Sequence, residues 1–279
     1  MVGDRSTSQT TGETGVHPTA VVHPGALLGR GVEVGPFAVI EADVAIGDGT
    51  VIGPHAVVHR DVVIGNENRL AAGVVIGAAP QHRLYAGERT YVRIGDRNVL
   101  GEYATVSRGY GEGTGTEIGN DNYVMSYVRI DHNCRVGNGV VLTSGAGLGG
   151  FVSIGDQAYV GGNSGIHQFV RIGRLGMVGA VSMVRQDVPP FILAAGVPAR
   201  AYAMNTVGLT RAGVPQAHRR ALKRAFVLLY RSGRSPASGL KQIEGELGDD
   251  PYVRELIEFI ATGNHERGMV RWVGETSSP

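Results

Sequence analysis

An aliphatic residue stands at every sixth position for most of this chain, and that period excludes nearly every fold. The series runs Val22, Leu28, Val34, Ile40, Ile46, Ile52, Val58, Ile64, Leu70, Ile76. It resumes at Ile94, Leu100 and Val106, and runs again from Ile118 to Val184 without leaving register. A helix repeats at 3.6 residues and a strand at 2.0, so neither sustains a period of six. The period fits an all-β solenoid, a parallel β-helix of hexapeptide repeats. Each flat face takes one repeat and three faces close a coil, giving about eight to ten coils.

The rest of each repeat agrees. Two positions before the aliphatic stands a small or β-branched residue (Ala20, Ala26, Val32, Ala38, Val44, Thr50), which shares its inward side of the strand. Glycine often follows the aliphatic, as at Gly29, Gly35, Gly47, Gly53 and Gly65. Corners at such short intervals predict a need for backbone freedom there. One coil cannot bury its own core, so neighbours must stack.

The register divides the chain. Residues 1–15 are polar, rich in Ser, Thr and Gly, and read as a disordered leader without the apolar segment of a secretion signal. The solenoid spans 16–190. Two interruptions, 78–91 and 107–117, break the period, and loops leaving a committed scaffold are where function concentrates. Repetition stops at Asp187-Val188-Pro189-Pro190. From 191 to 265 a connector and a helical cap are expected. Leu222, Phe226, Leu229 and Tyr230 mark one helix, Leu240, Ile243 and Leu247 a second, and Val253, Leu256, Ile257 and Ile260 a third opened by Asp250-Pro251. The tail, 266–279, carries no pattern.

A net charge of +1 gives no global field for nucleic acid or an anionic membrane, and no apolar run is long enough to span a bilayer. The single cysteine, Cys134, excludes an internal disulfide and agrees with a reducing cytoplasm. Its inward register position predicts a packed thiol rather than a nucleophile.

Histidine is the side chain whose ordinary pKa suits proton transfer at neutral pH. His132 lies two residues past an inward aliphatic, so it should project from a corner as an exposed imidazole, compatible with a general base. His167 occupies a corner position usually held by glycine. His55 and His59 read as solvated. Neither His132 nor His167 has a closely spaced partner of the kind zinc requires, so no metal and no cofactor is expected. The cap carries a basic run, Arg211, Arg219, Arg220, Lys223, Arg224, Arg231 and Arg234. That run is either a solvated face or a dock for an acidic protein or phosphorylated ligand.

These motifs resemble a known family, the UDP-N-acetylglucosamine O-acyltransferases that begin lipid A synthesis. The similarity runs from Val16-His17-Pro18-Thr19-Ala20, through Tyr85-Ala86-Gly87-Glu88 and Ile94-Gly95-Asp96-Arg97-Asn98, to His167-Gln168-Phe169. It continues through Gln186-Asp187-Val188-Pro189-Pro190 and Leu229-Tyr230-Arg231-Ser232-Gly233. The resemblance implies a left-handed β-helix forming a homotrimer with active sites between subunits. An acyl carrier protein delivers a 3-hydroxyacyl thioester to the sugar 3-hydroxyl. His132 aligns with the general base, Asn133 with its partner and Gly150 with the oxyanion donor. Gln81, His82, Tyr85 and Arg129 align with substrate-binding positions, His167 and Gln168 with the sugar site, and Asn205 and Arg211 with nucleotide contacts. The acyl-chain ruler aligns at Ala180 with Met177 nearby, and alanine there implies a medium to long chain. The basic cap matches the surface that meets the carrier protein.

The chain also departs from the family. The first loop normally reads Gln-Asp-Leu-Lys-Tyr and here reads Gln81-His82-Arg83-Leu84-Tyr85. Ser107, Arg129 and Phe151 stand where the family often has histidine, Asn133 where it often has aspartate, and Val207 and Ala212 where it has an acid and a second arginine. Three readings follow: an acyltransferase on UDP-N-acetylglucosamine or a related sugar nucleotide such as a 3-amino analogue; a non-catalytic solenoid that binds a nucleotide sugar; and a zinc hydratase on the same scaffold.

Overall fold

The computed structural model describes residues 14–263 and 267–274. Within them the chain winds a left-handed parallel β-helix of three sheets. The first face carries nine solenoid strands from Gly15–Val16 to Met177–Val178. The second runs from Val21–Val22 to Met183–Val184, and the third from Leu27–Leu28 to Arg171–Ile172. Strands pair with their equivalents one coil on, as Gly15 with Glu33 and Arg129 with Gly147. The offset widens across the two interruptions, as where Arg69 pairs with Val99 and Val99 with Tyr123. Gly15 therefore opens the first coil one residue before the expected start at 16, and residues 1–13 of the expected leader lie outside the described residues.

The aliphatic series fills the prism. Ile40, Ile52, Ile64, Ile76, Leu100, Ile130, Leu142 and Leu148 are all fully buried, each removing about 1.5–3 kcal/mol worth of apolar surface from water. The small inward position also holds an element the repeat logic did not foresee. Asn68, Asn98 and Asn122 are buried and stacked. Asn98 Nδ2 donates to Asn68 Oδ1 at 3.0 Å, and Asn122 Nδ2 to Asn98 Oδ1 at 2.9 Å, so each amide satisfies the next.

The glycines following the aliphatic residues are there for a different reason than expected. Left-handed backbone falls two residues later, mostly on non-glycine residues such as Phe37, His55, Asn133 and Phe151. The glycines themselves lie against the next coil. A Cβ on Gly47 would sit 2.6 Å from the Gly65 carbonyl and Asn66 Oδ1, and one on Gly53 2.6 Å from the Leu70 carbonyl. Coil spacing, not corner flexibility, requires them.

The connector is not irregular. Ile192–Gly196 joins the first face beside Met177–Val178 and turns back antiparallel as Ala199–Met204. A short helix, α1 (Thr206–Arg211), follows, capped by Asn205, and was not signalled by periodicity. The three expected helices are α2 (Gln216–Tyr230), α3 (Pro236–Leu247) and α4 (Pro251–Ala261). Asp250 caps α4 through the Tyr252 and Val253 amides. Arg174 grips Glu255 on α4 through both carboxylate oxygens, and Arg171 joins Asp187 at 2.8 Å while donating to the Phe259 carbonyl. The described part of the tail, 267–274, is packed: Val270 is fully buried, and Trp272 bridges to Ala201 and packs on Phe226.

Candidate active site

The edge between the second and third faces gathers the candidate chemistry on successive coils. His132, Gly150 and the pair His167-Gln168 lie one above another: the Phe151 N–H donates to the His132 carbonyl and the Phe169 N–H to the Gly150 carbonyl. Asn133, Phe151 and Phe169 take left-handed backbone at the three corners, and Phe151 stacks on Phe169 at 4.8 Å.

His132 is not the exposed imidazole its register predicted; it is 8% exposed. The two interruptions cover it. His82 from the first stacks on Tyr110 from the second with centroids 3.8 Å apart. Their rings stand edge-on to His132 at 5.4 and 5.9 Å, and Phe151 closes another side at 5.3 Å. Glu88 ties the loops together by accepting from the Ala86 and Gly111 amides, and backbone hydrogen bonds, including one from its own N–H, hold its carboxyl below the usual carboxylate range. Cross-loop bonds join Gly113 N–H to the Arg89 carbonyl and Tyr91 N–H to the Thr114 carbonyl.

The hydrogen bonds around Asn133 settle the imidazole tautomer. The Tyr110 backbone N–H can only donate, and it meets Asn133 Oδ1 at 2.8 Å, so that atom is the amide oxygen. His132 Nδ1 lies 2.9 Å from the same oxygen. Nδ1 therefore carries a proton, and in the neutral ring Nε2 is the free lone pair. Directly beside it is Gly150: a Cβ there would fall 2.5–2.6 Å from His132 Cε1 and Nε2. Among the described residues the Gly150 N–H has no backbone acceptor. A base with one defined nitrogen next to an unengaged amide donor is equipped to take a hydroxyl proton and steady an oxyanion.

The remaining candidates divide. Arg129, on the second face, pairs with Asp131 at 3.2 Å, and burial raises the Asp131 carboxyl above its ordinary value against the pull of Arg129. Tyr85 donates to the Glu88 carbonyl, and Gln81 is exposed on the same loop. Asn205, Arg211 and Met177 line a cavity of about 710 Å³ on the first face, with Tyr159, Leu175, Val207 and Ala212. Ala180 is exposed at the corner between first and second faces and does not line that cavity. One chain thus keeps the His132 edge and the Asn205–Arg211 cavity on different faces. Ser107 is buried beside Arg108, whose guanidinium donates to the Gly77 and Arg60 carbonyls. Cys134 is buried and its thiol pushed up to about 12 by that burial, so it is no nucleophile. Of the basic run, Arg224 pairs with Glu246, Arg219 reaches Thr210, and Arg231 lies over Trp272.

Tyr110 and Thr114 were missed by sequence reasoning. The interruption 107–117 is visible in the sequence, but only the fold places its polar groups over Asn133.

Comparison with known proteins agrees with this geometry. A family model described as UDP-N-acetylglucosamine O-acyltransferase, domain 2, matches residues 187–270, and one for bacterial transferase hexapeptide repeats matches 43–78 and 115–150. An acyl-[acyl-carrier-protein]–UDP-N-acetylglucosamine O-acyltransferase of Thiobacillus denitrificans is 46% identical over 92% of this chain and 99% of its own length. One from Burkholderia orbicola is 48% identical over 92% and 100%. The crystal structure of the Francisella novicida UDP-N-acetylglucosamine acyltransferase superposes with a TM-score of 0.89 at 33% identity, covering 93% of this chain and 95% of that one. The Campylobacter jejuni enzyme gives 0.86 at 33% identity over 92% and 99%. With the hexapeptide coils, the helical cap and the His132–Gly150 edge in place, the chain belongs to the UDP-N-acetylglucosamine O-acyltransferase family.

Proposed function

We propose that this protein moves a 3-hydroxyacyl group from acyl carrier protein to the 3-hydroxyl of UDP-N-acetylglucosamine, the first step of lipid A synthesis. The observation that carries the reading is His132, with Nδ1 tied to the Asn133 oxygen and Nε2 free beside Gly150. Nε2 takes the proton of the sugar hydroxyl as its oxygen attacks the thioester carbonyl carbon. The Gly150 N–H donates to the oxyanion. Collapse breaks the carbon–sulfur bond, and the imidazolium returns its proton to the departing carrier thiolate. The lid formed by His82, Tyr110 and Phe151 excludes water from the thioester.

The separation of His132 from the Asn205–Arg211 cavity supports a homotrimer, in which the first face of one subunit completes the edge of the next. Arg220, Lys223 and Arg234 leave a basic cap surface suited to an acidic carrier protein. No helix among the described residues is long and apolar enough to cross a membrane; a carrier-protein donor and a nucleotide-sugar acceptor support a cytoplasmic location.

The test is mass spectrometry of product from purified protein, 3-hydroxyacyl carrier proteins of several lengths and UDP-N-acetylglucosamine beside its 3-amino analogue. An ester of UDP-N-acetylglucosamine is expected. Product only from the amino analogue would move the acceptor, and no product from any pair, with the fold intact, would sink the reading.

A further inference from the structure

The residue beside His132 is an amide, where the resembling family often has a carboxylate. A carboxylate offers two equivalent oxygens and serves the imidazole whichever way it is turned. An amide serves only when its oxygen faces Nδ1; turned over, it presents NH2, Nδ1 must then accept, and the proton moves to Nε2, where it blocks the base. Something must hold the amide in one orientation.

The structure shows what does. Asn133 Nδ2 lies 2.9 Å from Thr114 Oγ1. That hydroxyl lies 2.9 Å from the Tyr110 carbonyl and 2.7 Å from the Gly111 carbonyl. Carbonyls only accept, so the hydroxyl proton is committed to them and Oγ1 has only lone pairs left for Asn133. At the other end, the Tyr110 N–H demands the amide oxygen. Both contacts come from the same interruption of the solenoid, and together they permit one orientation.

We propose that Thr114 is a positioning residue for the general base: through the Asn133 amide it keeps the His132 proton on Nδ1 and the lone pair on Nε2. The inference rests on the acyl transfer proposed above. It makes Thr114 necessary only because residue 133 is an amide.

The experiment is a double-mutant cycle in the full-length protein, with Thr114→Val and Thr114→Ser each made in the native and the Asn133→Asp backgrounds. In the native background Thr114→Val should lower kcat about five- to tenfold, the equivalent of one lost neutral hydrogen bond, with KM unchanged. Thr114→Ser should restore it. In the Asn133→Asp background, Thr114→Val should cost nothing, since a carboxylate has no orientation to lose. Equal losses in both backgrounds would overturn the proposal, and a wild type without turnover would instead overturn the acyl-transfer reading. Nitrogen-15 NMR of the imidazoles, with His132 assigned by His132→Gln, reads the tautomer without any assay. Nδ1–H is expected in wild type and a tautomer mixture in Thr114→Val; an Nε2–H tautomer in wild type would contradict the proposal even if no variant turned over.

Discussion

The regular coils and the two segments that interrupt them are built on opposite principles. In a coil every inward side chain is stacked between its equivalents above and below. Ile52 meets the cores of its neighbours, and Gly47 and Gly53 leave no room for a Cβ. The interruptions have no such repeat. They are held by specific polar contacts, Glu88 across the two loops and Thr114 onto Asn133, and they carry His82 and Tyr110 to His132. The coils fix where the edge lies; the interruptions decide what surrounds the reactive nitrogen. Stability should therefore respond to the first and activity to the second.

Ile52→Ala, in a coil remote from the edge, strikes at stability. A fully buried isoleucine cut to a methyl should cost about 3 kcal/mol, lowering the chemical-denaturation midpoint while leaving kcat unchanged in the folded protein. A parallel fall in kcat would blur the division. Gly150→Ala, at a coil corner that faces the reactive nitrogen rather than the packed core, should do the reverse. Its methyl group must displace the His132 ring, and a misplaced base costs about 100-fold in kcat, with little change in the melting curve. An unchanged kcat would mean that the ring adjacent to Gly150 is not the reacting group. Glu88→Gln should loosen the lid and lower kcat about two- to fivefold through lost hydrogen bonds, with the coil circular dichroism unaltered. At the smallest end, Cys134 should show no reaction with iodoacetamide at pH 8 in the folded protein, because burial keeps its thiol protonated until about pH 12. Rapid labelling would show that the coil interior opens.

Periodicity made the coils legible because stacking is a local, repeated demand. The inward register from Val34 to Val184 followed from spacing alone, as did α2 and α4. The glycines after the aliphatic residues were legible in position but not in cause, because contact with the next coil is invisible to single-repeat reasoning. The hairpin Ile192–Gly196/Ala199–Met204 and α1 escaped because each is too short for a helical or alternating pattern to emerge. Met269, Val270 and Trp272 escaped because their partners, Asp187 for the first two and Ala201 and Phe226 for the third, lie far earlier in the chain. At the site, His132 was reached from its register and chemistry, and Asn133 and Gly150 through resemblance, whereas the burial of His132 was missed. Its lid comes from His82 and Tyr110, residues 50 and 22 positions earlier, and no local pattern couples them. The basic run was read as one face; the fold divides it into residues engaged with Glu246, Thr210 and Trp272 and residues that remain open.

The central claim is that His132 at this edge is the general base of acyl transfer. Its most direct test is the turnover of His132→Ala, measured by product mass spectrometry with 3-hydroxyacyl carrier protein and UDP-N-acetylglucosamine, alongside its melting temperature. The account predicts a fall in kcat of about 10²–10⁴ with the fold retained. Turnover near the wild-type rate in the folded variant would contradict it.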